Sequence, residues 1–147
     1  MTIYFDMDGT IADLYGVNGW LDYLIHKDAT PYRIAKPLIN TVILNYWFNR
    51  LQTKGYKIGI ISWLAKNSNK EFDNEVTQAK KMWLKTYFPS VQFDEIHIVP
   101  YGTPKANFSN ENSDILFDDE APNREAWNGI AYTEKVIIET LKALLTI

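Results

Sequence analysis

Five short apolar runs punctuate the chain: Ile3-Tyr4-Phe5, Tyr56 to Ser62, Phe93 to Val99, Ile115 to Phe117 and Ile130 to Tyr132. Unbroken runs of this kind suit parallel strands covered on both faces. Between them the apolar positions change period. Trp20, Leu21, Leu24 and Ile25 suggest one short helix. Pro37 stands as the opening of a longer one, carrying Leu38, Ile39, Val42, Ile43, Leu44, Trp47, Phe48 and Leu51, with Gly55 as its stop. The apolar arc of that helix is widened by Tyr46 and suits burial, or contact with a partner as well as the sheet. Phe72, Val76, Ala79, Trp83, Leu84 and Tyr87 predict a helix over Glu71 to Phe88, closed by Pro89. A short helix from Pro122 to Asn128 ends at Gly129, and Thr133 is placed to cap a final helix to Leu145. Strands alternating with helices imply an α/β fold: a mostly parallel five-stranded sheet with helices on both faces and right-handed crossovers.

The 147 residues fit one domain over 1–147, in which Leu14 to Lys36 is a small cap-like insertion after the first strand. A hydrophobic fraction of 46% is ordinary for a globular chain. The net charge of −3 gives no general attraction to nucleic acid or to an anionic membrane, so a polyanionic partner must be held locally. No cysteine is present, which excludes disulfides and thiolate chemistry and fits a reducing compartment. With no run of 18 apolar residues and no basic or apolar leader, the expectation is a cytoplasmic protein.

In parallel sheets ligands sit beyond the carboxyl ends of the strands. Asp6, Asp8, Ser62, Lys105, Asp118 and Asp119 all fall at such ends or shortly after them, and so share one rim. Two carboxylates, a hydroxyl, a lysine and a second acidic pair are the parts of a phosphoryl-transfer site. Each has an ordinary reading beside the functional one. Asp8-Gly9 serves as a tight turn, Ser62 as a turn cap, Lys105 as a surface lysine and Asp118-Asp119 as a solvated loop. Asn123 either orients the acidic loop or begins a helix. His97, between Ile96 and Ile98, reads as a structural strand residue.

FDMDGT at residues 5–10, Ser62 after IGII, Lys105 in GTPKAN and ILFDDE at 115–120 stand in the order that characterises the haloacid dehalogenase (HAD) superfamily of phosphatases, which the chain resembles over nearly its whole length. The stretches AKKMWLKTYFP and DDEAPNREAWNGIAY further resemble the 5′(3′)-deoxyribonucleotidases of that superfamily.

The resemblance implies a HAD-like Rossmannoid fold and makes Asp6 the nucleophile that forms an aspartyl phosphate. Asp8 becomes the acid that protonates the leaving oxygen and later the base that deprotonates water. It assigns Mg²⁺ to the Asp6 carboxylate, the Asp8 carbonyl and Asp118, with Asp119 and Asn123 in support. Thr10, Ser62 and Lys105 are then the phosphate-binding residues. The implied substrate is a small phosphomonoester, a nucleotide in the closer family. Tyr15, Trp20 and Trp63 are placed to stack on a base, or to be core. The insertion is shorter than that family's cap, so the rim is open to larger phosphoesters, or closed by a second copy of the chain. Two other classes use similar parts: a receiver domain phosphorylated on Asp, whose acidic residues come in a different order, and a catalytically silent scaffold.

Overall fold

The computed structural model describes residues 1–147. Its strands are β1 (Thr2–Phe5), β2 (Lys57–Trp63), β3 (Glu95–Val99), β4 (Ile115–Phe117) and β5 (Ile130–Tyr132). They form one all-parallel sheet in the order β3-β2-β1-β4-β5. From β1 the chain steps outward to β2 and β3, then returns to lay β4 on the other side of β1. The order therefore reverses between β1 and β4, the position where parallel sheets open a crevice for ligands.

Period-two alternation decides which side chain faces which layer. Ile3, Phe5, Ile58, Ile60, Ile115 and Phe117 join one core with Leu44, Phe48 and Leu51 of α3 (Thr41–Thr53), Trp83 and Leu84 of α4 (Lys70–Tyr87), and Ile137 and Leu141 of α6 (Ile137–Leu145). Tyr4, Ile61 and Leu116 point the other way, against Trp127 and Phe108. That thinner face is covered by α5 (Ala121–Ala126) and a 3-10 turn at Lys105–Phe108. Residues Leu14 to Lys36 form the small insertion after the first strand, and no helix is long and apolar enough to cross a membrane.

Three local expectations are corrected. The insertion holds two helices, α1 (Trp20–Ile25) and α2 (Thr30–Ile34), rather than one. Asp28 Oδ1 accepts the Thr30 N–H at 2.9 Å, and the proline that follows Thr30 suits a helix's first turn. The third helix begins at Thr41, not at Pro37. Leu38 N–H is held by Ile11 O at 2.9 Å and Pro37 bridges Ala12, so this segment closes the first loop, and Asn40 then caps the helix through the Ile43 N–H. Thr133 precedes a 3-10 turn and makes no side-chain cap, leaving the last helix to start at Ile137.

Candidate active site

β1 delivers Asp6 and Asp8 to the crevice, and the chain then turns sharply at Gly9, whose φ is +82°. The Met7 carbonyl accepts the N–H groups of Thr10, Ile11 and Ala12, and this small knot fixes the turn. A Cβ on residue 9 would fall on the Asp119 carboxylate and press the Tyr15 ring, so glycine is required both by conformation and by space. β4 delivers Asp118 and Asp119 beside it. One carboxylate oxygen from each of Asp6, Asp118 and Asp119 lies within 4.8 Å of the others.

Lys105 reaches this cluster from the 3-10 turn. Its Nζ donates to Asp6 Oδ1 at 2.8 Å and to Asp118 Oδ2 at 2.7 Å, and it lies over the Trp63 ring. Burial pulls its pKa down, but Asp6 and Asp118 outweigh that and hold it above the usual lysine value. Burial, then Asp6, raises Asp118 to about 6 and Asp119 to about 7. One lysine does not offset this many carboxylates. The donor set is all hard oxygen, the deficit is of positive charge, and the carboxylates converge, so the residues fit a divalent ion such as Mg²⁺.

Asp8 faces a second cation. Lys80 of α4 is almost fully buried, and its Nζ donates to Asp8 Oδ2 at 2.9 Å, Ser62 Oγ at 2.7 Å and the Trp63 carbonyl at 2.6 Å. Burial nonetheless raises the Asp8 pKa, with the Lys80 charge opposing it. Lys80 lies in the stretch AKKMWLKTYFP, where no local motif assigns it a role. The signal was its place in the apolar stripe of α4, which buries Phe72, Val76, Ala79, Lys80, Trp83 and Leu84 together. A lysine on such a face must find polar partners.

The structure brings Thr10, Ser62 and Asn123 to the same carboxylates and their lysines, in different postures, and leaves His97 elsewhere. Thr10 is wholly buried; its hydroxyl faces Asp6 Oδ2 at 3.0 Å and Asp119 Oδ1 at 3.2 Å and accepts the Asp119 N–H. It stands behind the carboxylates and orients them, with no bond left for a phosphate. Ser62 lies at the carboxyl-terminal end of β2 and is buried against Lys80. Asn123, within α5, donates to Asp118 Oδ2 at 3.2 Å and is not the cap of that helix, a position held by Glu120. His97 pairs with Glu95 and stacks on Phe108, a structural arrangement.

Above the carboxylates opens a cavity of about 540 Å³. Asp6, Asp8 and Lys105 line it together with Tyr15, Trp20, Leu21, Leu24 and Ile25 from the insertion and Trp63 and Tyr101 from the opposite side. Tyr15 and Trp20 meet edge to face at 5.0 Å, and Trp63 and Tyr101 meet at 5.0 Å. The three aromatics selected from the sequence are thus cavity walls rather than core, and the short insertion supplies part of the cavity lining. Lys27 and Lys66 also line the cavity.

Neither any protein-family model nor any curated protein sequence matches the chain. Among solved structures, the D,D-heptose 1,7-bisphosphate phosphatase from Burkholderia thailandensis is similar with a TM-score of 0.52 and 15% identity, over 85% of this chain and 70% of that one. At that identity the likeness concerns the fold, which is HAD-like.

Proposed function

We propose that the chain is a Mg²⁺-dependent phosphomonoesterase acting through an aspartyl phosphate, with a nucleoside monophosphate as substrate. The observation that carries this reading is the convergence of Asp6, Asp118, Asp119 and Lys105 at the β1/β4 reversal, where Asp6 and Lys105 line a cavity with aromatic walls. A HAD-like fold, and a phosphatase among its structural neighbours, support the same chemistry.

An Asp6 oxygen attacks phosphorus while the bond to the leaving oxygen breaks, and Asp8 gives that oxygen a proton. Water then attacks the same phosphorus and passes a proton to Asp8; the bond to Asp6 breaks and phosphate departs, restoring both carboxyl groups. Lys105 offsets negative charge on the phosphoryl oxygens. The Met7 and Asp8 N–H groups have no partner within the protein and are available as further donors. Thr10 and Asn123 hold Asp6, Asp119 and Asp118 in place. Mg²⁺ would be held by Asp6, Asp118 and the Asp8 carbonyl, with Asp119 in support, and when bound supplies the positive charge that lets a phosphate approach several carboxylates.

For the organic part of the substrate, the lining favours a flat apolar group, since every nucleobase face stacks on aromatic rings. The name of the similar solved structure favours a sugar phosphate instead. Phosphate release from ribonucleoside and deoxyribonucleoside monophosphates, hexose phosphates and p-nitrophenyl phosphate separates the two. Nucleotide turnover at least about tenfold above sugar phosphates is the expected outcome, matching a stacking gain of roughly 1–3 kcal/mol. Equal turnover would remove the nucleotidase reading and leave the phosphatase.

A further inference from the structure

We infer that Lys80 is a positioning residue that fixes which oxygen of Asp8 serves the leaving group; this rests on the phosphatase reading above. Lys80 has three N–H donors, and the structure uses each one: Asp8 Oδ2, Ser62 Oγ and the Trp63 carbonyl. The last two are attached to β2, one strand from the nucleophile, so the ammonium ties the Asp8 side chain to the sheet. The Tyr32 ring of the insertion lies 5.1 Å from Nζ, and Tyr32 is itself buried, which keeps water from competing for the donors.

Two consequences follow from the direction of these bonds. Asp8 Oδ2 already faces an N–H donor, so a proton on this carboxyl group sits on Oδ1, which has no partner in the protein, and Asp8 lines the cavity. The acid is thereby limited to one oxygen in one orientation, before substrate arrives. Ser62 must accept from Lys80, which leaves its own O–H proton uncommitted. Remove Lys80, and the Asp8 carboxyl rotates among several directions, only some of which meet the leaving oxygen.

A group that serves proton delivery matters in proportion to the leaving group's need for a proton. p-Nitrophenolate departs as a stable anion; the alkoxide of benzyl phosphate does not, while the two esters are similar in shape. The test measures kcat/KM of the native chain, Lys80→Met, Asp8→Asn and the double variant on both esters with Mg²⁺, after circular dichroism has verified folding. The expected result is a loss on benzyl phosphate at least roughly tenfold greater than on p-nitrophenyl phosphate for Lys80→Met, within the range general acid catalysis contributes. The double variant should lose no more on benzyl phosphate than Asp8→Asn alone. Equal losses on the two esters, or losses that multiply in the double variant, would overturn the inference and leave Lys80 a structural residue. Should Lys80→Met fail to fold, Lys80→Gln, whose uncharged amide ends one atom short of Nζ and so does not reach Asp8 in the same way, carries the same comparison. A native chain that cleaves neither ester removes the phosphatase reading itself, a result distinct from a flat ratio.

Discussion

Lys105 Nζ lies 2.8 Å from Asp6 Oδ1, although ninety-nine residues separate the two along the chain. The pair joins the loop after β1 to the turn before β4, and both partners are buried. Replacing Lys105 by Met leaves Asp6 and Asp118 without their shared cation. Stability should fall by about 3–5 kcal/mol in the absence of metal, the usual result of removing one partner from a buried pair. Phosphatase activity should fall by roughly 10²-fold or more, as for loss of a charge-stabilising donor. Urea unfolding and steady-state kinetics measure the two effects separately.

The acidic cluster sets a pH dependence of known sign. Asp118 and Asp119 titrate near 6 and 7 in the fold, above the ordinary 3.8, because burial and Asp6 disfavour their charged forms. Between about pH 4 and 7 the folded chain therefore holds more protons than the unfolded one, and metal-free stability declines as pH rises through that window. Metal binding requires the deprotonated carboxylates. The Mg²⁺-induced rise in Tm should thus be larger at pH 8 than at pH 5, as thermal melts with and without chelator will measure. An equal rise at both values would count against a carboxylate site for the ion.

Gly9 carries both a positive φ and a space occupied by Asp119. Gly9→Ala should cost about 1–2 kcal/mol in backbone strain alone, and displacement of Asp119 should lower activity as well. An alanine variant as stable and active as the native chain would contradict this account of the turn.

The cavity wall supplied by α1 should act on binding rather than on bond breaking. Trp20→Ala removes an aromatic wall without touching Asp6, Asp8 or Lys105. For a nucleoside monophosphate KM should rise about tenfold while kcat changes little, the signature of lost uniform binding. A fall in kcat at unchanged KM would assign Trp20 a different role.

Much of this site was legible because its residues sit where period changes. Asp6, Asp8, Asp118 and Asp119 each follow an apolar run, and parallel strands deliver such residues to one edge. What stayed hidden depends on contacts between distant segments. Lys80 resembles any helical lysine until the burial of its face is known. Thr10 resembles a phosphate donor until both carboxylates are seen to claim its hydroxyl. Asp114, which accepts the N–H groups of Thr2, Asn110 and Glu111 and so anchors the start of β1, has no local signal at all. Pro37 resembled a helix start because proline suits a first turn; a long-range bridge to Ala12 overrode that preference. The aromatics of the insertion were ambiguous between core and cavity because either use places them on an apolar face.

The central claim is that Asp6 is the nucleophile of a phosphatase, and its most direct measurement is phosphate release by the native chain and by Asp6→Asn, each with Mg²⁺ and with chelator. The account predicts Mg²⁺-dependent release by the native chain and a loss of at least roughly 10⁴-fold in the variant, which keeps the shape of the side chain but not its attacking carboxylate. Release by Asp6→Asn at a rate near that of the native chain, or native release indifferent to chelator, would contradict it.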